Sequence, residues 1–134
     1  MKTMKSFVII TFAGLLASCV TTAKFPVSQL APAADISVKT MKQSKPNYLV
    51  TITAKNLASS RRLSPPKNHY VIWAVSEEGA TRNVGHFTQK NAEKSTYKAS
   101  FPYKPAEVFI TAEDEENICL PSATEISRTR LFSE

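Results

Sequence analysis

The side chains in this sequence that could do chemistry are two histidines, His69 and His86, two cysteines, Cys19 and Cys119, and one run of carboxylates. Soft and borderline metals favour imidazole nitrogen with thiolate or thioether sulfur, so His69 and His86 together with Met41 or Cys119 would suit copper. No short His/Cys spacing of the kind that marks a metal site accompanies them. The run Glu113-Asp114-Glu115-Glu116-Asn117 offers oxygen, the ligand of hard cations. It lacks the alternating ligands and glycine turn of an EF-hand loop. It reads as a solvated turn at a strand end, or as a docking patch for a basic partner, since charge of one sign steers encounter. Catalysis has less to draw on. No serine sits in a nucleophile elbow, and there is no HExxH or glycine-rich phosphate loop. Cys119 and a distant histidine could serve as nucleophile and base, but nothing in the sequence orients the pair. Asn117-Ile118-Cys119-Leu120-Pro121 is an apolar setting, in which a free cysteine is expected to be a small buried hydrophobe. The expectation is a non-enzyme with no catalytic residue, no cofactor and no resident metal.

The elements that must position these groups alternate with a period of two. Ile36, Val38 and Thr40 alternate with Ser37 and Lys39, and Tyr48, Val50, Ile52 and Ala54 share one face of the next run. That is the pattern of half-buried strands. Between Asn56 and Asn68 the pattern breaks, around a Pro65-Pro66 pair that cannot donate to a ladder. Tyr70-Val71-Ile72-Trp73-Ala74-Val75 is apolar on both faces and predicts a central strand. Glu77-Glu78-Gly79 turns the chain into a return strand over Arg82 to Thr88, within which Gly85 predicts a bulge or a close backbone approach. Further strands are expected over Tyr97 to Phe101, Glu107 to Ala112 and Glu125 to Leu131. Seven short strands with turns between them and no amphipathic helix predict an all-β, immunoglobulin-like antiparallel sandwich, with a closed barrel as the alternative. In a strand apolar on both faces, Trp73 is expected to be core, because an indole buries so much area.

The amino terminus carries a separate signal. Lys2 and Lys5 precede a short apolar run from Phe7 to Leu16, as in a secretory signal, and the run is too short to be a good membrane span. Leu16-Ala17-Ser18-Cys19 resembles the lipobox of bacterial lipoproteins. The resemblance implies cleavage before Cys19, a lipid on its thiol and acylation of the new amino terminus. With Val20 rather than Asp next, it also implies the outer membrane, facing the periplasm, as the destination. The chain then divides into a signal over 1–18, a lipidated tether over 19–34 and a sandwich domain over 35–134. Fifteen tether residues would reach at most about 50 Å.

Removing the first 18 of 134 residues leaves 116, enough for one domain and too few for two. Lys2 and Lys5 leave with them, so the formal charge falls from +6 to +4. No stretch combines dense Lys and Arg with interleaved aromatics, and export argues against a nucleic-acid partner. A mildly basic face could rest against anionic headgroups or envelope polymers. Once Cys19 is lipidated, Cys119 has no partner for an intramolecular disulfide.

Pro65-Pro66, the Tyr70-to-Val75 strand and Asn83-Val84-Gly85-His86-Phe87 resemble the extracytoplasmic C-terminal domain of anti-sigma-K factors. Phe109-Ile110-Thr111-Ala112-Glu113, followed by Pro121, is similar to a later strand of that family, and the likeness covers about residues 63 to 131. Where the family has a glycine-rich turn, this chain has Asp114-Glu115-Glu116-Asn117. The family's sigma-binding region and membrane-spanning helix have no counterpart here. The resemblance therefore implies the fold and an envelope-facing, non-enzymatic role rather than sigma-factor inhibition. Partner binding or envelope sensing is the expected function, small-ligand or metal binding the alternative, and a purely structural envelope component a third class.

Overall fold

A computed structural model describes residues 20–44, 47–87, 89–90 and 93–131, so the signal, the lipobox and Cys19 lie outside the described residues. Among the described residues the strands are β1 (Val20–Lys24), β2 (Asp35–Lys42), β3 (Tyr48–Lys55), β4 (His69–Val75), β5 (Thr81–His86), β6 (Gln89–Lys90), β7 (Lys94–Phe101), β8 (Glu107–Glu113) and β9 (Glu125–Arg130). A single 3₁₀ turn over Ser60–Arg62 interrupts them. One sheet has the order β1-β2-β3-β7-β6 and the other β5-β4-β8-β9, and neighbouring strands are antiparallel. Set aside β1, and β2-β3-β7-β6 facing β5-β4-β8-β9 is the strand order of an immunoglobulin sandwich. The sheets remain open, which removes the barrel.

Alternation decides which side chains enter the space between the sheets. Ile36 and Val38 of β2, Val50, Ile52 and Ala54 of β3, and Tyr97 and Phe101 of β7 come from one sheet. Tyr70, Ile72 and Ala74 of β4 and Val108, Ile110 and Ala112 of β8 come from the other. The central pair β4 and β8 is buried on its second face too. There Val71, Trp73 and Phe109 form a smaller cluster, with Val75 and Ile118 packed against it. Trp73 is core, as its setting predicts, but it faces away from the opposite sheet. Its indole stacks on Phe109 at 6.0 Å between centroids, and Nε1 donates to Thr111 Oγ1 at 2.8 Å.

The expected tether is not free chain. Val20–Lys24 pairs residue by residue with β2, from Val20 opposite Met41 to Lys24 opposite Ser37. Phe25 and Ala31 then enter the main core, and Ser127 Oγ of β9 donates to Pro26 O at 2.8 Å. Residues 25–34 thus form a β1–β2 connection that returns to its own sheet and touches β9 of the other on the way. Irregular spacing and two prolines hid this, because Phe25 and Ala31 are buried singly rather than by alternation.

Gly85 behaves as the sequence predicts. The β4–β5 register slips between Ile72 and Trp73, which face Gly85 and Asn83, so Val84 is the extra residue. Gly85 has φ +131°, and a Cβ there would lie 3.1 Å from the Tyr97 ring. Tyr97 in turn donates its hydroxyl to Val84 O at 2.8 Å. Gly85→Ala is expected to cost about 1–3 kcal/mol of unfolding free energy, since both backbone and ring oppose the methyl. Urea denaturation of the variant measures it, and an unchanged midpoint would contradict the bulge geometry.

Candidate functional site

The register divides the sandwich into two ends. Val20, Met41, Tyr48, Phe101, Glu107 and Val75 mark one, and Lys24, Asp35, Lys55, Lys94, Glu113 and His69 mark the other. Of the described residues that could do chemistry, His69 and Glu113 lie at the second end, His86, Glu116 and Cys119 follow on the outer face below it, and Met41 lies at the first end.

The feature that organises this end is the β8–β9 connection, residues 114–124, which lies as a strap over the outer face of the β5-β4-β8-β9 sheet. Ile118 fixes it by packing on Val71, Trp73 and Phe109. Asn83 Nδ2 donates to two strap carbonyls, Glu116 O at 2.8 Å and Ile118 O at 2.9 Å, while Asn83 Oδ1 accepts from Gly85 N at 3.0 Å. At the far side Ser122 N donates to Glu113 Oε1 at 2.8 Å, which is how a buried carboxylate is accommodated.

Two imidazoles converge on the strap. His69 Nδ1 lies 3.7 Å and His86 Nδ1 3.6 Å from the same oxygen, Glu116 Oε2. They come from neighbouring strands, with His86 opposite Val71 and therefore on the same face as His69. The two histidines that the sequence offered as metal ligands do come together across β4 and β5. The sequence also offered Met41 or Cys119 as soft ligands. Met41 pairs with Val20 at the opposite end. Among the described residues no group of three or more His, Cys, Asp and Glu side chains is arranged to hold a metal ion. Glu116 thus brings the strap against β4 and β5, within ion-pairing reach of an imidazole that carries a proton.

Cys119 overturns its expectation. It is exposed, not buried, because Ile118 takes the inward position and leaves Cys119 and Leu120 facing water. Leu120 is 81% exposed, the most of any large hydrophobe among the described residues. The acidic run is no uniform patch either. Glu113 is buried, Asp114 pairs with Lys67 at 3.5 Å, Glu116 meets the histidines, and Glu115 points to solvent.

Beside the strap, the β3–β4 segment encloses an open cavity of about 610 Å³ lined by Asn56, Leu57, Ser60, Asn68, Tyr70 and Ser95 among others. Arg61 and Arg62 stand exposed at its rim. Tyr70 donates its hydroxyl to Ala58 O at 2.6 Å, and burial pushes its pKa up to about 12. Asn68 joins cavity and strap, its backbone N–H donating to Glu113 O at 3.0 Å and its Nδ2 to Asp114 O at 3.2 Å.

No family model, curated protein or solved structure matches this chain. In the β4–β5 hairpin, Tyr70 and Phe87 meet edge to face at 6.5 Å. Asp114-Glu115-Glu116-Asn117 is the start of the strap. Asn83 and Ile118, which hold the strap, were missed by pattern reading. Their roles depend on contacts 33 and 35 residues apart in sequence, which periodicity does not encode.

Proposed function

We propose that this protein is a lipid-anchored envelope protein whose sandwich acts without catalysis, by binding another envelope protein through the strap. The observation that carries the reading is Leu120. An exposed leucine at a loop tip is ordinary, but here the loop is held by a half-buried isoleucine, a double amide clamp and a carboxylate set between two histidines. A segment so fixed presents Cys119, Leu120 and Pro121 with little ordering left to do on binding, which is how preorganisation strengthens association. The strap begins and ends at the end of the sandwich remote from Val20 and lies over the outer face between, so a lipid at Cys19 would leave it on the flank of the domain.

Crosslinking in living cells from a photoreactive residue at Leu120 tests this. Near-stoichiometric capture of one envelope protein, lost in Leu120→Arg, is the expected result. Capture of abundant envelope proteins alone would refute it. Anchoring is tested separately, by palmitate labelling. Wild type is expected to take up label and Cys19→Ser to take up none, and equal labelling would sink the anchor.

A second reading, small-ligand binding, is favoured by the cavity at Tyr70, whose polar wall and rim arginines suit an anionic molecule. A rise in melting temperature with small carboxylates or phosphates, abolished in the Arg61→Ala/Arg62→Ala variant, would support it over the strap.

A further inference from the structure

The two outer faces of the sandwich differ in charge, and neither the strap nor the cavity explains the difference. Alternation turns Lys24 of β1, Lys39 of β2, Lys55 of β3, and Lys94 and Lys98 of β7 to the outside of their sheet, where all are exposed. The strands of this sheet carry one carboxylate, Asp35, which lies 3.7 Å from Lys24. Register sets Lys39, Thr51 and Lys98 in one row across β2, β3 and β7. Lys55 and Lys94 share another row, nearer the far end of the same strands. From strand spacing and rise, the lysines cover a patch of about 10 Å by 13 Å. The outer face of the other sheet is built differently, with Arg128 bonded to both Glu107 and Glu125. Interspersed signs serve solubility, whereas a face of one sign draws a partner of the other.

A second feature of the same face selects that partner. Val20, Met41 and Leu49 stand in register as an apolar row at the border of the lysine patch. Val20 is 38% exposed. Binding to a bilayer interface grows with apolar area at the acyl boundary and with cations against anionic headgroups, and this face offers both. Val20 is also the residue next to Cys19, so acyl chains there would enter the bilayer beside the apolar row. We infer that the outer face of the β1-β2-β3-β7-β6 sheet lies flat against an anionic lipid bilayer, with Lys39, Lys55 and Lys98 among the headgroups. This rests on lipidation of Cys19. The strap, on the outer face of the opposite sheet, is then turned away from the membrane and towards its partner.

Lysine acylation, read residue by residue in the full lipidated protein, tests the orientation. The protein is bound to vesicles of phosphatidylcholine alone or of phosphatidylcholine with phosphatidylglycerol. Lys39, Lys55 and Lys98 are expected to react about fivefold more slowly, or slower still, on the anionic vesicles. Lys67, which pairs with Asp114 of the strap, and the Cys119 thiol, by alkylation, should react alike on both. Lys39→Gln is expected to weaken the protection of Lys98 about fivefold, the share of one lysine at an anionic leaflet, and Lys39→Arg to keep it. Equal lysine rates on both vesicles, in protein that carries its acyl chains, overturn the docking and leave the anchor standing. Absence of acyl chains on the wild type overturns the anchor and the orientation with it. Protection of the same lysines by a soluble polyuronate in neutral detergent, with none on anionic vesicles, would make the face a polymer site and overturn the bilayer assignment.

Discussion

Trp73→Ala is expected to lower the unfolding free energy by about 3–5 kcal/mol, the range for truncating a large buried aromatic. Against a typical total of about 5–15 kcal/mol, that leaves a marginal domain. The structure adds a second expectation. Trp73 is fully buried but lies under the strap, not between the sheets. Removing it takes away the floor beneath Ile118, the stack on Phe109 and the partner of Thr111 Oγ1. The strap should loosen before the sheets part. Limited proteolysis is therefore expected to cut within residues 114–124 under conditions where the rest of the variant stays folded. Trp73→Phe keeps a ring on Phe109 and should lose less, about 1–3 kcal/mol, because Thr111 Oγ1 is left buried without its partner. An unchanged melting temperature in the alanine variant would falsify the buried placement.

The second large effect is on pH. Tyr70 and Tyr97 bury their rings in the main core and donate their hydroxyls to Ala58 O and Val84 O. Burial pushes both pKa values up to about 12, with Tyr103 adding to the effect on Tyr97. In the unfolded chain both titrate near about 10. The folded state therefore holds its protons to higher pH than the unfolded state does. The stability this represents is fully present below about pH 10 and is lost as pH rises towards 12. Discounted for residual solvent screening, the two tyrosines together should account for about 2–3 kcal/mol. Denaturation midpoints taken between pH 9 and pH 12 should fall steeply, and Tyr70→Phe should flatten part of that fall. A flat profile through this range would contradict the buried hydroxyls.

Most of the sandwich was legible because it is written in alternation. Val50, Ile52 and Ala54, or Val108, Ile110 and Ala112, each repeat at two residues, and each set points between the sheets. Alternation is silent where burial is solitary. Phe25, Ala31 and Ile118 each turn inward singly from segments without alternation, so the β1–β2 connection read as a tether and the strap as a solvated turn. A run with apolar residues on both faces announced that β4 is central without saying which face meets the other sheet. That is why Trp73 was recognisable as core and its cluster was not. Cys119 failed for a related reason. Its neighbours Ile118 and Leu120 are both apolar, but in an irregular segment only one of three successive side chains turned inward.

Arg128 illustrates how the open edge of the second sheet is kept from water-exposed hydrophobe. Its guanidinium lies 4.0 Å from the Phe109 ring centroid and bonds Glu107 and Glu125 at 2.8 and 2.7 Å. Burial alone would lower its pKa, but the two carboxylates outweigh that and leave it raised. Charged cover of this kind discourages edge-to-edge association.

The ladder between β1 and β2 also has a mechanical meaning. A pull on the chain ahead of β1 reaches the fold through Val20, along the axis of a strand joined to its neighbour at five successive positions. Load directed along that axis is shared by all five pairs at once instead of opening them one by one. β1 is thus arranged to bear tension in shear, and a tug on the chain ahead of it meets the sheet at its most resistant angle.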